Sequence, residues 1–141
     1  MTREAILSLV HKRHVLWDAH DAAALAATHA DKGVVISPMG GVLEGRAEIE
    51  RVYRQLFAAF HDVKVTDDDV LIDGDRVAQI ARLSGTHAGD LFGLAPTGRR
   101  VEVPIALVMK VADGLVLEER RIYDFTGVLV QIGVLKAKPV A

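Results

Sequence analysis

The sequence predicts an α+β fold in which helices cover one face of a curved, mostly antiparallel sheet and enclose an apolar pocket. Three observations carry this. Apolar residues recur at three- and four-residue intervals in the first part of the chain, as far as Phe60. From Val63 onward the pattern changes to long β-type runs divided by short turns containing glycine. Helices grouped ahead of a meander of strands argue for α+β and against βαβ units, and a sheet that curls under helices leaves a cavity between the layers.

The elements follow in order. Ile6, Leu9, Val10, Leu16 and Trp17 form one stripe of a first helix, with Thr2 as its N-cap and Glu4 in its first turn. Asp21 caps a second, shorter helix through the alanine run Ala22–Ala27, which Asp31-Lys32-Gly33 is expected to end. Val34-Val35-Ile36 reads as a short buried strand, stopped by Ser37-Pro38 and the pair Gly40-Gly41. A third helix from near Arg46 to about Phe60 carries Ile49, Val52, Tyr53, Leu56, Phe57 and Phe60 on its buried stripe. Val63–Ile72 and Val77–His87 form a hairpin through Asp73-Gly74-Asp75, because Asp-Gly is a strong tight-turn signal. Val101–Val111 and Leu115–Phe125 form a second hairpin around Ala112-Asp113-Gly114, and the run Val128–Leu135 ends the chain as a helical turn or a last strand. With no linker, repeat or low-complexity segment, the expectation is one domain over 1–141.

Composition narrows the function classes. Half of the 141 residues are hydrophobic and 26% are charged, a globular balance. The formal net charge is −2 and no basic block occurs, so a nucleic-acid partner is not expected. The absence of cysteine removes disulfides, thiolate metal sites and cysteine nucleophiles. No run is long and apolar enough to span a bilayer, and Met1-Thr2-Arg3-Glu4 opens an amphipathic helix instead of a signal segment, so a soluble cytoplasmic protein is expected. The six histidines include no i, i+4 pair with a carboxylate and no His-x-His on a strand, so no metal is expected. Neither a Gly-x-Gly-x-x-Gly nor a Walker-type loop is present, and Ser37 and Ser84 lack a nucleophile elbow. What is left is cofactor-free proton transfer on a small hydrophobic molecule.

The candidate residues for that chemistry have two readings each. Asp124 ends the last long strand; facing a cavity it becomes a general base, and otherwise it caps the following turn or pairs with Arg120. Alternation puts Arg120, Ile122 and Asp124 on one face and Arg121 and Tyr123 on the other. Arg120 either holds a substrate oxygen or belongs to a solvated run, Glu118-Glu119-Arg120-Arg121. His14 and Trp17 lie on or beside the stripe of the first helix and either touch ligand or pack. Tyr53 lies on a buried stripe, where its phenol needs a partner, a substrate carbonyl or a backbone one. His87 is expected to order the loop Gly89–Arg99.

Several stretches taken together resemble the SnoaL-like polyketide cyclases of the nuclear-transport-factor-2-like superfamily. They are Gly41-Val42-Leu43-Glu44-Gly45-Arg46, Phe57-Ala58-Ala59-Phe60-His61-Asp62, the segment Gly85-Thr86-His87 through Pro96-Thr97-Gly98-Arg99-Arg100, and Tyr123-Asp124 followed by Gln131-Ile132-Gly133. The resemblance implies a cone-shaped domain, a homodimer or higher homo-oligomer built through the sheet, and no cofactor. It implies Asp124 as the acid/base of an intramolecular aldol closure. Met109 stands where a strand histidine of the characterised cyclases falls, and Arg120 where an aromatic residue is usual. On this basis Asp124, His14 and Tyr53 are the catalytic candidates, and Trp17, Arg120, Phe57 and Met109 the substrate-binding ones. The superfamily's isomerases, lyases and epoxide hydrolases, and a non-catalytic ligand-binding protein of the same fold, are the alternatives.

Overall fold

The computed structural model describes residues 1–138; the last three residues of the expected 1–141 domain lie outside the described residues. The first helix, α1, spans Arg3–Asp18, with the Thr2 hydroxyl accepting from the Ala5 N–H at 3.1 Å. Asp21 caps α2 (Ala22–Ala27) through the Ala24 N–H at 3.0 Å. These are the two side-chain caps that the sequence indicated, and each satisfies a donor that a helix start leaves open.

Strand β1 runs from His29 to Ser37, longer than the expected core of Val34–Ile36. Asp31-Lys32-Gly33 does not terminate α2; it forms an irregularity inside β1, where the pairing shifts between His29 and Val34. A Cβ on Gly33 would stand 2.9 Å from the Ala30 carbonyl oxygen, so only glycine fits that bend. A short strand that the glycine pair concealed, β2 (Gly41–Glu44), pairs antiparallel with β1. Helix α3 (Arg46–Ala59) follows and buries Ile49, Val52, Tyr53, Leu56 and Ala59.

Four strands complete the sheet: β3 (Lys64–Asp73), β4 (Arg76–Thr86), β5 (Arg100–Ala112) and β6 (Leu115–Tyr123). The two expected hairpins are β3–β4 and β5–β6. The second turns through Asp113 and Gly114, both at positive φ, as a tight two-residue hairpin requires. The final apolar run is helical, α4 (Phe125–Gln131). Sheet order is β2-β1-β6-β5-β4-β3; β1 and β6 are parallel and the other neighbours antiparallel.

Helices α2 and α3 pack against each other and on β1, and the main core lies between them and the inward side chains of β3, β4 and β5. A second core beneath the start of α1 joins Ile6, Leu9 and Val10 to Val77, Met109, Val111 and Val116. His87 orders the following loop as expected: its Nδ1 lies 3.0 Å from the Thr97 hydroxyl, and its backbone bonds to Gly98 and Arg99. Among the described residues no helix is long and apolar enough to cross a membrane.

Candidate functional site

Between the sheet and the helices lies a cavity of about 60 Å³, counted as space in which the centre of a water can stand. Its wall is apolar: β5 gives Val101, Val103, Ile105 and Leu107, and α3 and the loop after it give Val52, Leu56 and Phe60. Trp17 of α1 and Phe125 and Val128 of α4 also line it. Among the described residues Arg121 is the only charged one on this wall, which Tyr123 and Ser37 also line.

Arg121 reaches the cavity because the inward face of β6 is Glu119, Arg121 and Tyr123, while Arg120 and Ile122 stand outside. Its Nε donates to Glu119 Oε2 at 2.7 Å, and its guanidinium carbon lies 4.9 Å from the centre of the Tyr53 ring. Glu119, fully buried, is also ion-paired with Arg13, which α1 carries inward on its apolar stripe. Arg13 Nη1 donates to the Thr28 hydroxyl at 2.6 Å and points at His29 Nε2 at 3.2 Å; Nη2 donates to the Tyr53 oxygen at 3.4 Å. The Tyr53 oxygen is in turn 3.1 Å from His29 Nε2. Arg46 closes the back of the network with two donors on the His29 carbonyl, at 3.1 and 2.6 Å.

Electrostatics follow from this packing. Burial by itself would raise the Glu119 carboxyl, but the two guanidiniums outweigh it and hold the group at about 2. Burial lowers the His29 imidazole to about 3, with Glu119 opposing and the surrounding arginines assisting. Burial works against charge on both Arg13 and Arg121. Tyr53 and Glu119 more than offset that for Arg13, and Glu119 and Tyr53 for Arg121, so both cations are kept above the usual arginine value. The Tyr123 phenol is pushed up by burial, against the pull of Arg121 and the Met39 backbone.

The residues singled out from sequence do not gather in one place. Trp17 lines the cavity. Tyr53 is fully buried one layer behind the wall, where its hydroxyl meets Arg13 and His29 in place of a backbone carbonyl. Phe57 packs edge-on against Trp17 and stacks on His20, outside the wall. Met109 sits in the second core, under α1.

Three placements differ from the expectations. Arg120 is on the outer face of the sheet, its side chain 55% exposed and 3.8 Å from Glu118; Arg121 takes the inward position. The alternation was correct, but the charged set turns inward because Arg13 meets it there. Asp124 is exposed and caps α4, its carboxylate accepting the Gly127 N–H at 2.9 Å; it adjoins Tyr123 and Phe125 but is not itself on the wall. His14 lies between two carboxylates, 3.3 Å from Asp18 and 3.2 Å from Asp67, neither contact having hydrogen-bond geometry. Arg13 and His29 were not singled out in the sequence, and Glu119 and Arg121 were read there only as members of a charged run. One signal was available: Arg13 continues the stripe of Ile6, Leu9, Val10 and Trp17, and a cation there implies a buried partner. Among the described residues no group of three or more His, Asp or Glu is placed to hold a metal ion.

A cone of this kind, with a curved six-stranded sheet wrapped over N-terminal helices, is the architecture of the nuclear-transport-factor-2-like and ketosteroid-isomerase-like proteins. A protein from Catenulispora acidiphila DSM 44928 with the ketosteroid isomerase-like fold superposes with a TM-score of 0.77 at 22% identity, covering 89% of this chain and 92% of that one. The family profile of the SnoaL-like polyketide cyclases matches residues 9–132, and the chain belongs to that family. A proposed SnoaL-like polyketide cyclase from Jannaschia sp. CCS1 is similar at 27% identity, with a TM-score of 0.78 over 90% of this chain and 92% of that one. IdmH of Streptomyces antibioticus, a proposed polyketide cyclase, is similar at 26% identity, with a TM-score of 0.74 over 89% and 96%. No curated protein matches the sequence. Family membership supports a small-molecule, enzyme-like role.

Proposed function

We propose that the chain is a cofactor-independent enzyme that enolises a small hydrophobic carbonyl compound, leading to aldol closure, isomerisation or a related lyase step. The observation that carries this reading is the single guanidinium, Arg121, on an otherwise apolar wall. An enolate oxygen developing beside it is stabilised where water is scarce and the donor is already oriented. Glu119 is committed to two arginines, so proton exchange falls to Asp124, at the junction of the wall residues Tyr123 and Phe125. Epoxide hydrolysis has less support, because it asks for a second carboxylate beside Asp124 to orient the attacking water, and Glu119 is committed to Arg13 and Arg121.

A second reading, a binding protein without turnover, is favoured by one observation. Asp124 is already engaged as a helix cap. Exchange of the α-protons of 2-tetralone for deuterium, followed by NMR, separates the two. Wild-type protein is expected to accelerate exchange well above buffer, Arg121→Met to abolish the gain and Asp124→Asn to reduce it at least tenfold. A bound ketone that exchanges no faster than in buffer would establish the binding reading.

Self-association belongs to the same proposal. Ile80, Ala106 and Ile122 stand side by side across β4, β5 and β6 on the uncovered face, with Arg82, Glu102, Glu118 and Arg120 around them. An apolar row flanked by both signs of charge suits a second copy related by a two-fold axis.

A further inference from the structure

The charges behind the cavity do not balance. Arg13 and Arg121 contribute two positive charges and Glu119 one negative, all three side chains being 9% exposed or less. His29 adds none: Arg13 Nη1 can only donate, so the Nε2 it faces carries a lone pair, and the ring is neutral with its proton on Nδ1. Arg46, half-buried behind His29, adds a further cation on the same side. Among the described residues no other carboxylate meets these groups, since Asp18 and Asp67 flank His14 and Asp124 faces Gly127. A surplus cation is therefore held largely out of bulk solvent.

The hydrogen bonding of the two arginines shows where that surplus is directed. Arg13 spends both terminal nitrogens on Thr28, His29, Tyr53 and Glu119. Arg121 spends only Nε, on Glu119. Its two terminal nitrogens have no hydrogen-bond partner among the described residues, and they belong to the one charged group on the cavity wall. A guanidinium with two free, parallel donors is shaped for two oxygens or one strongly basic one. The buried tyrosine beneath it restricts its movement, and Glu119 fixes its near edge.

We propose that the cavity takes its ligand as an anion, a compact and largely apolar molecule bearing one ionised oxygen group that neutralises the surplus charge on Arg121. Carboxylates, phenolates and stabilised enolates share this chemistry; a neutral molecule of the same shape leaves the cation unanswered. The rest of the wall, largely apolar, takes the body of the molecule. This rests on the reading of the cavity as a small-molecule site and specifies which form of the molecule it selects.

Calorimetric titration of the intact chain tests it with 2-naphthoate and 2-naphthamide, which differ in charge and hardly in shape. Preference for the carboxylate by tenfold or more supports the proposal. Equal binding, or preference for the amide, overturns it while leaving the cavity as a ligand site; binding of neither overturns the cavity reading as well. The phenolate arm uses 4-methylumbelliferone, whose ionisation is visible by absorbance. Binding is expected to lower its apparent pKa by one or more, and an unchanged or raised value overturns the proposal for phenolates. Arg121→Met is expected to equalise naphthoate and naphthamide, and Arg121→Lys to retain part of the preference. The wild-type comparisons stand without these variants should either fail to fold.

Discussion

Arg121 Nε and Glu119 Oε2 are 2.7 Å apart on the same inward edge of β6, two residues apart in the chain and both shielded from solvent. Together with Arg13 they form a buried ion triad whose single anion serves two cations. Removing that anion leaves two like charges facing each other in a medium of low polarity. Glu119→Gln is expected to cost about 3 kcal/mol or more of folding stability. Arg121→Met, which leaves Arg13 and Glu119 balanced, is expected to cost less than half as much. Urea denaturation midpoints, with slopes checked for constancy, make the comparison.

The triad and its imidazole neighbour also set an acid limit. His29 titrates at about 3 in the folded chain against 6.5 for the free side chain, and Glu119 at about 2 against 4.5. Both folded values are depressed, so the unfolded chain binds more protons as pH falls. The stability they contribute is complete above pH 6.5. It declines for His29 as pH falls from 6.5 toward 3, and for Glu119 from 4.5 toward 2. Unfolding midpoints should be level between about pH 7 and 8 and decline below that. His29→Asn should flatten the upper part of the decline, a difference that removes the contribution of the other five histidines.

At Asp124, structure and chemistry can be separated by the choice of substitution. Asparagine caps a helix about as well as aspartate, whereas alanine loses about 1 kcal/mol. Asp124→Asn should leave thermal stability almost unchanged while reducing α-proton exchange. Asp124→Ala should lower both. Loss of exchange in the alanine variant alone would assign Asp124 to capping only.

A charge placed in the middle of the outer row tests self-association. Ile122 is 52% exposed and pairs with Ala106. Ile122→Glu should convert a dimer to monomer in sedimentation velocity without altering the circular dichroism spectrum, since its side chain leaves the core untouched. A wild-type chain that sediments as a monomer at the highest concentration reached would remove the partner from the proposal.

Much of the fold was readable because local rules govern it. The caps at Thr2 and Asp21, the stripe of α3 and the Asp-Gly turns all act within a few residues. Gly33 and the strand β2 were missed because their roles depend on a neighbour: the bend in β1 and its pairing with β2 exist only once the chain returns along Gly41–Glu44. The site was less legible for a related reason. Alternation sorted β6 correctly into two faces, but apolar Ile122 shared a face with Arg120, and hydrophobicity alone would turn that face inward. The outcome was decided by Arg13, which lies 106 residues away.

That separation carries a consequence for how the chain finds one arrangement among near neighbours. Moving β6 by a single residue along its partners would exchange its faces, sending Glu118, Arg120 and Ile122 inward. The shifted strand would still bury an isoleucine and would still form a ladder, so apolar burial discriminates weakly against it. A slip that sets Arg120 in the place of Glu119 would, however, present Arg13 with a like charge, whereas the opposite slip brings Glu118 to that place and keeps a carboxylate there. The first helix thus rejects one direction of slip in the last strand, the one that would set a cation against its own.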